Sequence, residues 1–312
     1  MTELTFRELT DNLMRLYDQH DYADALAMVE EKAGAFPEQI ARTTFWKMCL
    51  LSLGNRPEDV MSVFRQGLDS GLWWAERQFS DPDLDAVREL PEFKALAEES
   101  NQKCLEAQPH IGHDRAILVP DNVTDELPLL IVLHGRNGDK NYNLEQWNVA
   151  RQRGWLVLSV QSRQAIYPGS YCWDDNDKGL EDILFHFEEI VNMYKIDRKR
   201  IVIAGFSQGS GMAIYAALSG KVGTYGFLGV GTFIAEPDSL NSMASQAQSV
   251  RGYFVTGEKD HTLDKVQAIQ KILRENHIQY TEEIFPDLGH EFPPDFEKTF
   301  DKAINFIFKE QE

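Results

Sequence analysis

Cysteine is scarce in this chain. Its 312 residues include 3, Cys49, Cys104 and Cys172, far apart and in no C-x-x-C spacing. An odd, scattered set argues against a disulfide framework and for a reducing compartment. Positive charge is also in short supply, with 31 Lys and Arg against 50 Asp and Glu and a net charge of −19. Such a field repels polyanions, which speaks against nucleic acid and anionic membrane surfaces as partners. No apolar run approaches the roughly 18 residues of a membrane span, and residues 1–8 have no basic segment leading into an apolar one. A cytoplasmic protein without a membrane span is expected. No His, Cys and carboxylate cluster at metal-ligand spacing and no Gly-rich phosphate loop is evident, so neither a metal nor an organic cofactor is expected.

Hydrophobic residues make up 43% of the chain, with 18 Phe and 6 Trp, enough to fill one large domain or two. Helical periodicity runs almost unbroken through residues 1–108. From about residue 115, apolar runs of strand length alternate with helical segments, and residues 107–113, containing Pro109 and Gly112, break the pattern. An all-α domain over 1–108 and an α/β domain over 109–312 follow. Within the first, residues 21–31 and 56–66 align at an offset of 35, with Leu26 opposite Met61. That offset is close to the roughly 34-residue period of tetratricopeptide helix pairs, which the segment resembles. An irregular helical bundle fits the same pattern. Trp73, Trp74 and Phe79 are expected to cap the array.

In the second part the spacing predicts strands over 115–120, 127–134, 155–161, 201–204, 225–233, 252–256 and 280–285. Helices are predicted over 142–153, 179–194, 212–218 and 263–276, with a last one within 295–309. Val-, Ile- and Leu-rich strands alternating with amphipathic helices indicate a mostly parallel central sheet covered on both faces. Loops at the carboxyl ends of its strands are the expected place for a site.

One such loop is Gly205-Phe206-Ser207-Gln208-Gly209, between the strand Ile201 to Ala204 and the helix beginning near Met212. It reads as a nucleophile elbow. A serine exposed on so sharp a turn needs neighbouring backbone to approach closely, which a glycine on either side permits. A serine hydroxyl is a poor nucleophile at neutral pH. It needs a histidine base, and the base needs a carboxylate to hold its tautomer. Asp260 follows the strand 252–256 and His290 follows the strand 280–285, the Ser, acid, His order that belongs with such an elbow. Gly289 is expected to free the loop that swings His290 inward. His261 is the competing base, and Asp264 and Glu258 are the alternative acids. Backbone N–H groups of Gln208 and Arg136 are the candidate oxyanion donors, with His134 anchoring the loop that carries Arg136. Tyr167, Tyr171 and Trp173 offer flat surface for an acyl or aryl group, and Asp174 and Asp175 beside them would disfavour anionic substrates.

Together, His134-Gly135, the Gly-Phe-Ser-Gln-Gly elbow, the strand leading to Asp260 and Gly289-His290 resemble the phospholipase/carboxylesterase branch of the α/β-hydrolases, which includes acyl-protein thioesterases. The similarity covers about residues 112–312. It implies an α/β-hydrolase fold, a Ser207, Asp260 and His290 triad, Arg136 and Gln208 as oxyanion donors, and a small-molecule or acylated substrate cleaved through an acyl-enzyme. Gly135-Arg136-Asn137-Gly138 and Gly209-Ser210 depart from the thioesterase pattern, so ester and thioester remain open as substrates. An amidase or peptidase with the same triad is an alternative, as is a non-catalytic protein that binds a partner, or itself, through the helical domain.

Overall fold

The computed structural model describes residues 4–122, 125–247 and 249–309. These form two compact units. The first runs through to Ile111 and also takes in Ala165–Ser170, whereas the second comprises Gly112–Gln164 and the chain from Tyr171 onward. A single cut at 108/109 therefore does not separate them.

The first unit contains helices α1 (Phe6–Asp18), α2 (Tyr22–Lys32), α3 (Ile40–Leu53), α4 (Pro57–Asp69), the single turn α5 (Asp85–Arg88) and α6 (Pro91–Ala107). Thr5 and Glu8 close a capping box at the start of α1, satisfying N–H groups that have no intrahelical partner. Leu9, Leu13 and Leu16 then form its buried stripe. The 35-residue repeat places α2 and the first turns of α4 in equivalent positions, and both Leu26 and Met61 are buried. Trp74 does not cap the array as expected. It lies in the interior beside Phe64, its indole N–H donating to Ala41 O, and α6 follows it with Phe93 against Phe64 and Phe79. The segment Ala165–Ser170 belongs to this unit through backbone and side chain. Ala75 N–H donates to Ile166 O, the Gln108 amide to Ala165 O, and Arg42 Nε to the Tyr167 hydroxyl.

The second unit is built on a seven-stranded sheet in the order β1-β3-β2-β6-β7-β8-β9. Its strands are β1 (Asp114–Leu118), β2 (Leu127–Leu133), β3 (Leu156–Gln161), β6 (Ile196–Phe206), β7 (Gly226–Val230), β8 (Arg251–Gly257) and β9 (Gln279–Phe285). Only β1 is antiparallel to its neighbour; every other pairing is parallel. Two short strands, β4 (Gln164–Tyr167) and β5 (Ser170–Cys172), pair separately where a loop was expected.

Alternation along β2 and β6 divides the core in two. Leu129, Ile131, Leu133, Ile201 and Ile203 face α8 (Asn176–Met193), α9 (Gln208–Leu218) and α11 (Leu263–Glu275). Leu130, Val132, Val202 and Ala204 face α7 (Leu144–Gln152) and α12 (Phe296–Ile307), which contribute Trp147, Phe296 and Phe300. The remaining helical turn, α10 (Asn241–Ala244), adds Ala244 to the first of these cores. With both faces covered, the loops at the carboxyl ends of the strands are the place left for a site.

Candidate active site

The carboxyl ends of β2, β6, β7, β8 and β9 carry the loops that form the site. Ser207 joins β6 to α9 with φ 53° and ψ −122°, a left-handed φ that a non-glycine residue adopts only where its surroundings impose it. Its N–H donates to Val230 O, and its own carbonyl accepts from Ser210, Gly211 and Phe233. The two glycines of the motif are steric necessities. A Cβ on Gly205 would land on the Gly209 backbone, and one on Gly209 would land on the carbonyls of Leu133 and His134.

Asp260 is buried in the loop after β8, and His290 is partly buried in the loop after β9. The His290 Nδ1–H donates to the Asp260 carboxylate, 3.0 Å from each oxygen. Asp260 Oδ1 also accepts from Thr262 N–H at 2.8 Å and from the Thr262 hydroxyl at 2.9 Å. Burial raises the Asp260 carboxyl, but the hydrogen bonds from His290 and Thr262 outweigh it and hold the group below the usual carboxylate range. Both residues approach Gly231, just past β7 and next to Val230, whose carbonyl accepts from Ser207 N–H. A Cβ on Gly231 would stand 3.1 Å from the His290 ring and 3.2 Å from Asp260 Oδ2. The His290 ring also lies 4.8 Å from that of Phe206, centroid to centroid. The turn before His290 is made by Asp287 at φ 61°, whereas Gly289 has neither a positive φ nor a close neighbour that would require glycine. Asp264 lies in the first turn of α11 and Glu258 is exposed.

His134 is buried after β2. Its Nδ1–H donates to Gly135 O and its Nε2 accepts from Ser162 N–H, which fixes a neutral tautomer. Burial pushes it down to about 4, against the opposing effect of the bond to Gly135. In unfolded chain the value is about 6.5. Between those values the unfolded chain binds a proton that the native one refuses, so this contribution is complete above about pH 6.5 and is lost as pH falls toward 4. It amounts to about 3 kcal/mol. Burial pushes His186 to about 4 as well. Denaturation midpoints should therefore fall from pH 7.5 to 4.5, and more gently in His134→Gln, with the remainder due to His186 and to His113, which burial and Arg163 also hold below the usual histidine range. Parallel pH profiles for the two proteins would remove His134 from this account.

Aromatic residues expected to line the substrate instead brace the loop after β2. Trp173 is buried, with its indole N–H donating to His134 O at 2.8 Å, so it has little surface left to offer a substrate. Tyr171 exchanges backbone hydrogen bonds with Asn137 and Gly138, and its ring is half-buried. Tyr167 is buried in the helical unit. The two aspartates also have other employment. Asp175 caps α8, accepting from the N–H groups of Asp177 and Lys178. Asp174 Oδ1 accepts from Arg136 Nη1 and from Gln208 Nε2, both at 2.7 Å, while Gln208 Oε1 accepts from Trp173 N–H. Thr262 and the bridging role of Asp174 escaped the sequence reading. The Asp-x-Thr spacing, which lets a threonine return to the aspartate two residues before it, was the available sign for Thr262.

A mostly parallel sheet wound on both sides, a strained serine at a strand-to-helix elbow and an Asp–His pair on the neighbouring loops are the features of the α/β-hydrolase fold. Residues 174–310 match the family described as phospholipase/carboxylesterase, and residues 5–108 match one described as A/B hydrolase-like, N-terminal domain. The chain has the α/β-hydrolase fold with a helical N-terminal region, and its α/β part is similar to the phospholipase/carboxylesterase family over a match that spans less than half of the chain. A bifunctional acetylxylan esterase/xylanase from Neocallimastix patriciarum is 32% identical over 116 residues, which cover 35% of this chain and 16% of that protein. An uncharacterized protein from Bacillus cereus shares the fold over 97% of this chain and 99% of its own, with a TM-score of 0.55 and 22% identity. Est1E from Butyrivibrio proteoclasticus shares it over 64% of this chain and 94% of its own, with a TM-score of 0.52 and 14% identity. Among the described residues no helix is long and apolar enough to cross a membrane.

Proposed function

We propose that the protein is a serine esterase that cleaves small carboxylic esters through an acyl-enzyme on Ser207. The observation that carries the reading is the Asp260–His290 hydrogen bond beside Gly231, which follows Val230, the residue whose carbonyl accepts from the N–H of Ser207 in its strained elbow. Ser207 Oγ attacks the carbonyl carbon as its proton passes to His290 Nε2. Asp260, ionised and held by Thr262, keeps Nδ1–H in place and favours the imidazolium. The tetrahedral oxyanion accepts from the N–H groups of Gln208 and Arg136, and collapse expels the alcohol, which takes the proton from His290. Water then repeats the sequence and releases the acid. Gln208 opens α9, where N–H groups have no intrahelical carbonyl to bond, which suits it as a donor. Each such donor is worth about 3 kcal/mol of barrier.

The acetylxylan esterase named above makes an acetyl ester the first substrate to test. A fluorophosphonate should label Ser207, located by peptide mass spectrometry, and p-nitrophenyl acetate should turn over with a burst. An unlabelled Ser207 would sink the reading and favour a binding protein. Faster cleavage of the matching anilide would move it to the amidases.

Asp174 ties together the side chains of both proposed oxyanion donors, so its loss loosens the loop that carries one of them. Asp174→Ala should lower kcat on p-nitrophenyl acetate about tenfold, a fraction of what losing a whole donor costs. KM should move less. An unchanged kcat would show that Asp174 does not position these donors.

A further inference from the structure

His261 has no part in the proposed acyl transfer, yet it stands against both groups that do. Its ring centroid lies 4.7 Å from that of His290. Its Nδ1 lies 3.7 Å from Asp260 Oδ1. One ligand atom from each of Asp260, His261 and His290 falls within 4.8 Å of the other two, a cluster that appears only once the two loops are folded together. Bonds of about 2.0–2.1 Å to imidazole nitrogen and carboxylate oxygen, in tetrahedral array, set ligand atoms about 3.4 Å apart. The His290–Asp260 distance of 3.0 Å and the His261–Asp260 distance of 3.7 Å bracket that spacing.

Two imidazoles and a carboxylate suit zinc and its neighbours among the divalent transition metals, with water in the fourth position. Asp260 is buried and already oriented by two hydrogen bonds from Thr262, the kind of support that fixes a metal ligand before the ion arrives. The His261 side chain is 74% exposed and gives an entry path. Lys259, the neighbouring cation, is paired with Asp287.

We propose that Asp260, His261 and His290 form an inhibitory site for a zinc-like divalent ion, a regulation that rests on reading His290 as the base. The ion takes Nδ1 of His290 in place of its hydrogen bond to Asp260. The Nδ1 proton passes through solvent to Nε2, and the imidazole stays neutral in the opposite tautomer. Nε2 then carries a hydrogen and has no lone pair to accept the Ser207 proton. No bond of the substrate is involved, and removing the ion restores the original tautomer.

The test uses the full chain, titrated with Zn²⁺ during p-nitrophenyl acetate turnover and separately with Co²⁺ while its visible absorption is followed. Wild type should lose turnover as Zn²⁺ is added and regain it on adding EDTA, and should bind one Co²⁺ with tetrahedral bands. His261→Ala should raise the half-inhibiting Zn²⁺ concentration and the Co²⁺ dissociation constant at least about tenfold, with metal-free turnover essentially unchanged. Exposed His110, changed to Ala, should leave both at wild-type values. Equal Zn²⁺ sensitivity in wild type and His261→Ala, or the absence of stoichiometric Co²⁺ binding, would overturn the site. Co²⁺ binding needs no turnover, so an esterase-inactive wild type that still binds Co²⁺ through His261 would refute the ester reading and leave the metal site standing.

Discussion

Ser207→Ala is expected to lower kcat/KM on p-nitrophenyl acetate by at least about three orders of magnitude, because a nucleophile and its base act as one unit and removing either disables both. The fold should tolerate the change. Ser207 is held by its backbone, through its N–H to Val230 and its carbonyl to the residues after it, and Ala keeps both of those groups. Its left-handed φ is no easier for Ala than for Ser, so the thermal midpoint should stay close to wild type. Turnover above about a tenth of wild type would mean that another residue attacks the substrate.

Asp260→Asn is expected to cost about four orders of magnitude in kcat, since an amide can neither hold His290 in the required tautomer nor stabilise the imidazolium. The amide also disturbs a carboxylate oxygen that accepts from the hydroxyl and N–H of Thr262 and from His290. His290→Ala should be comparably damaging, while His261→Ala and Asp264→Asn should each stay within about twofold of wild type in metal-free buffer. An inactive His261→Ala beside an active His290→Ala would exchange the base. An inactive Asp264→Asn beside an active Asp260→Asn would move the acid.

Sequence pattern was enough to place Ser207, Asp260 and His290 just beyond β6, β8 and β9, because β6 and β8 end in apolar runs buried on both faces and the half-exposed edge strand β9 is bounded by its turn residues Pro286 to Gly289. What surrounds those residues was less legible. In sequence Trp173 looks like accessible surface because its burial depends on His134 O and on α9, both more than thirty residues away in the chain. In sequence Asp175 looks like a charge bordering the substrate, because the helical periodicity is plain only from residue 179. Once the helix starts at Asn176, the same residue is its N-cap. The strands β4 and β5 span four and three residues, too few for any periodicity to show. Gly289 drew attention as a hinge because glycine is the usual sign of a positive φ, yet the turn falls on Asp287.

The helical unit is interrupted in sequence, since Ala165–Ser170 belongs to it although more than fifty residues of the other unit intervene after Ile111. During synthesis, α1 to α6 emerge before the segment that accepts from Ala75 N–H and Gln108 and meets Arg42. The helices can collapse early, since their contacts are local, but the unit is finished only after β1, β2 and β3 have been made. Two consequences follow for anyone dividing the gene. A fragment ending near 111 would lack part of its own interior, and one beginning near 112 would carry a six-residue segment that belongs to the missing piece.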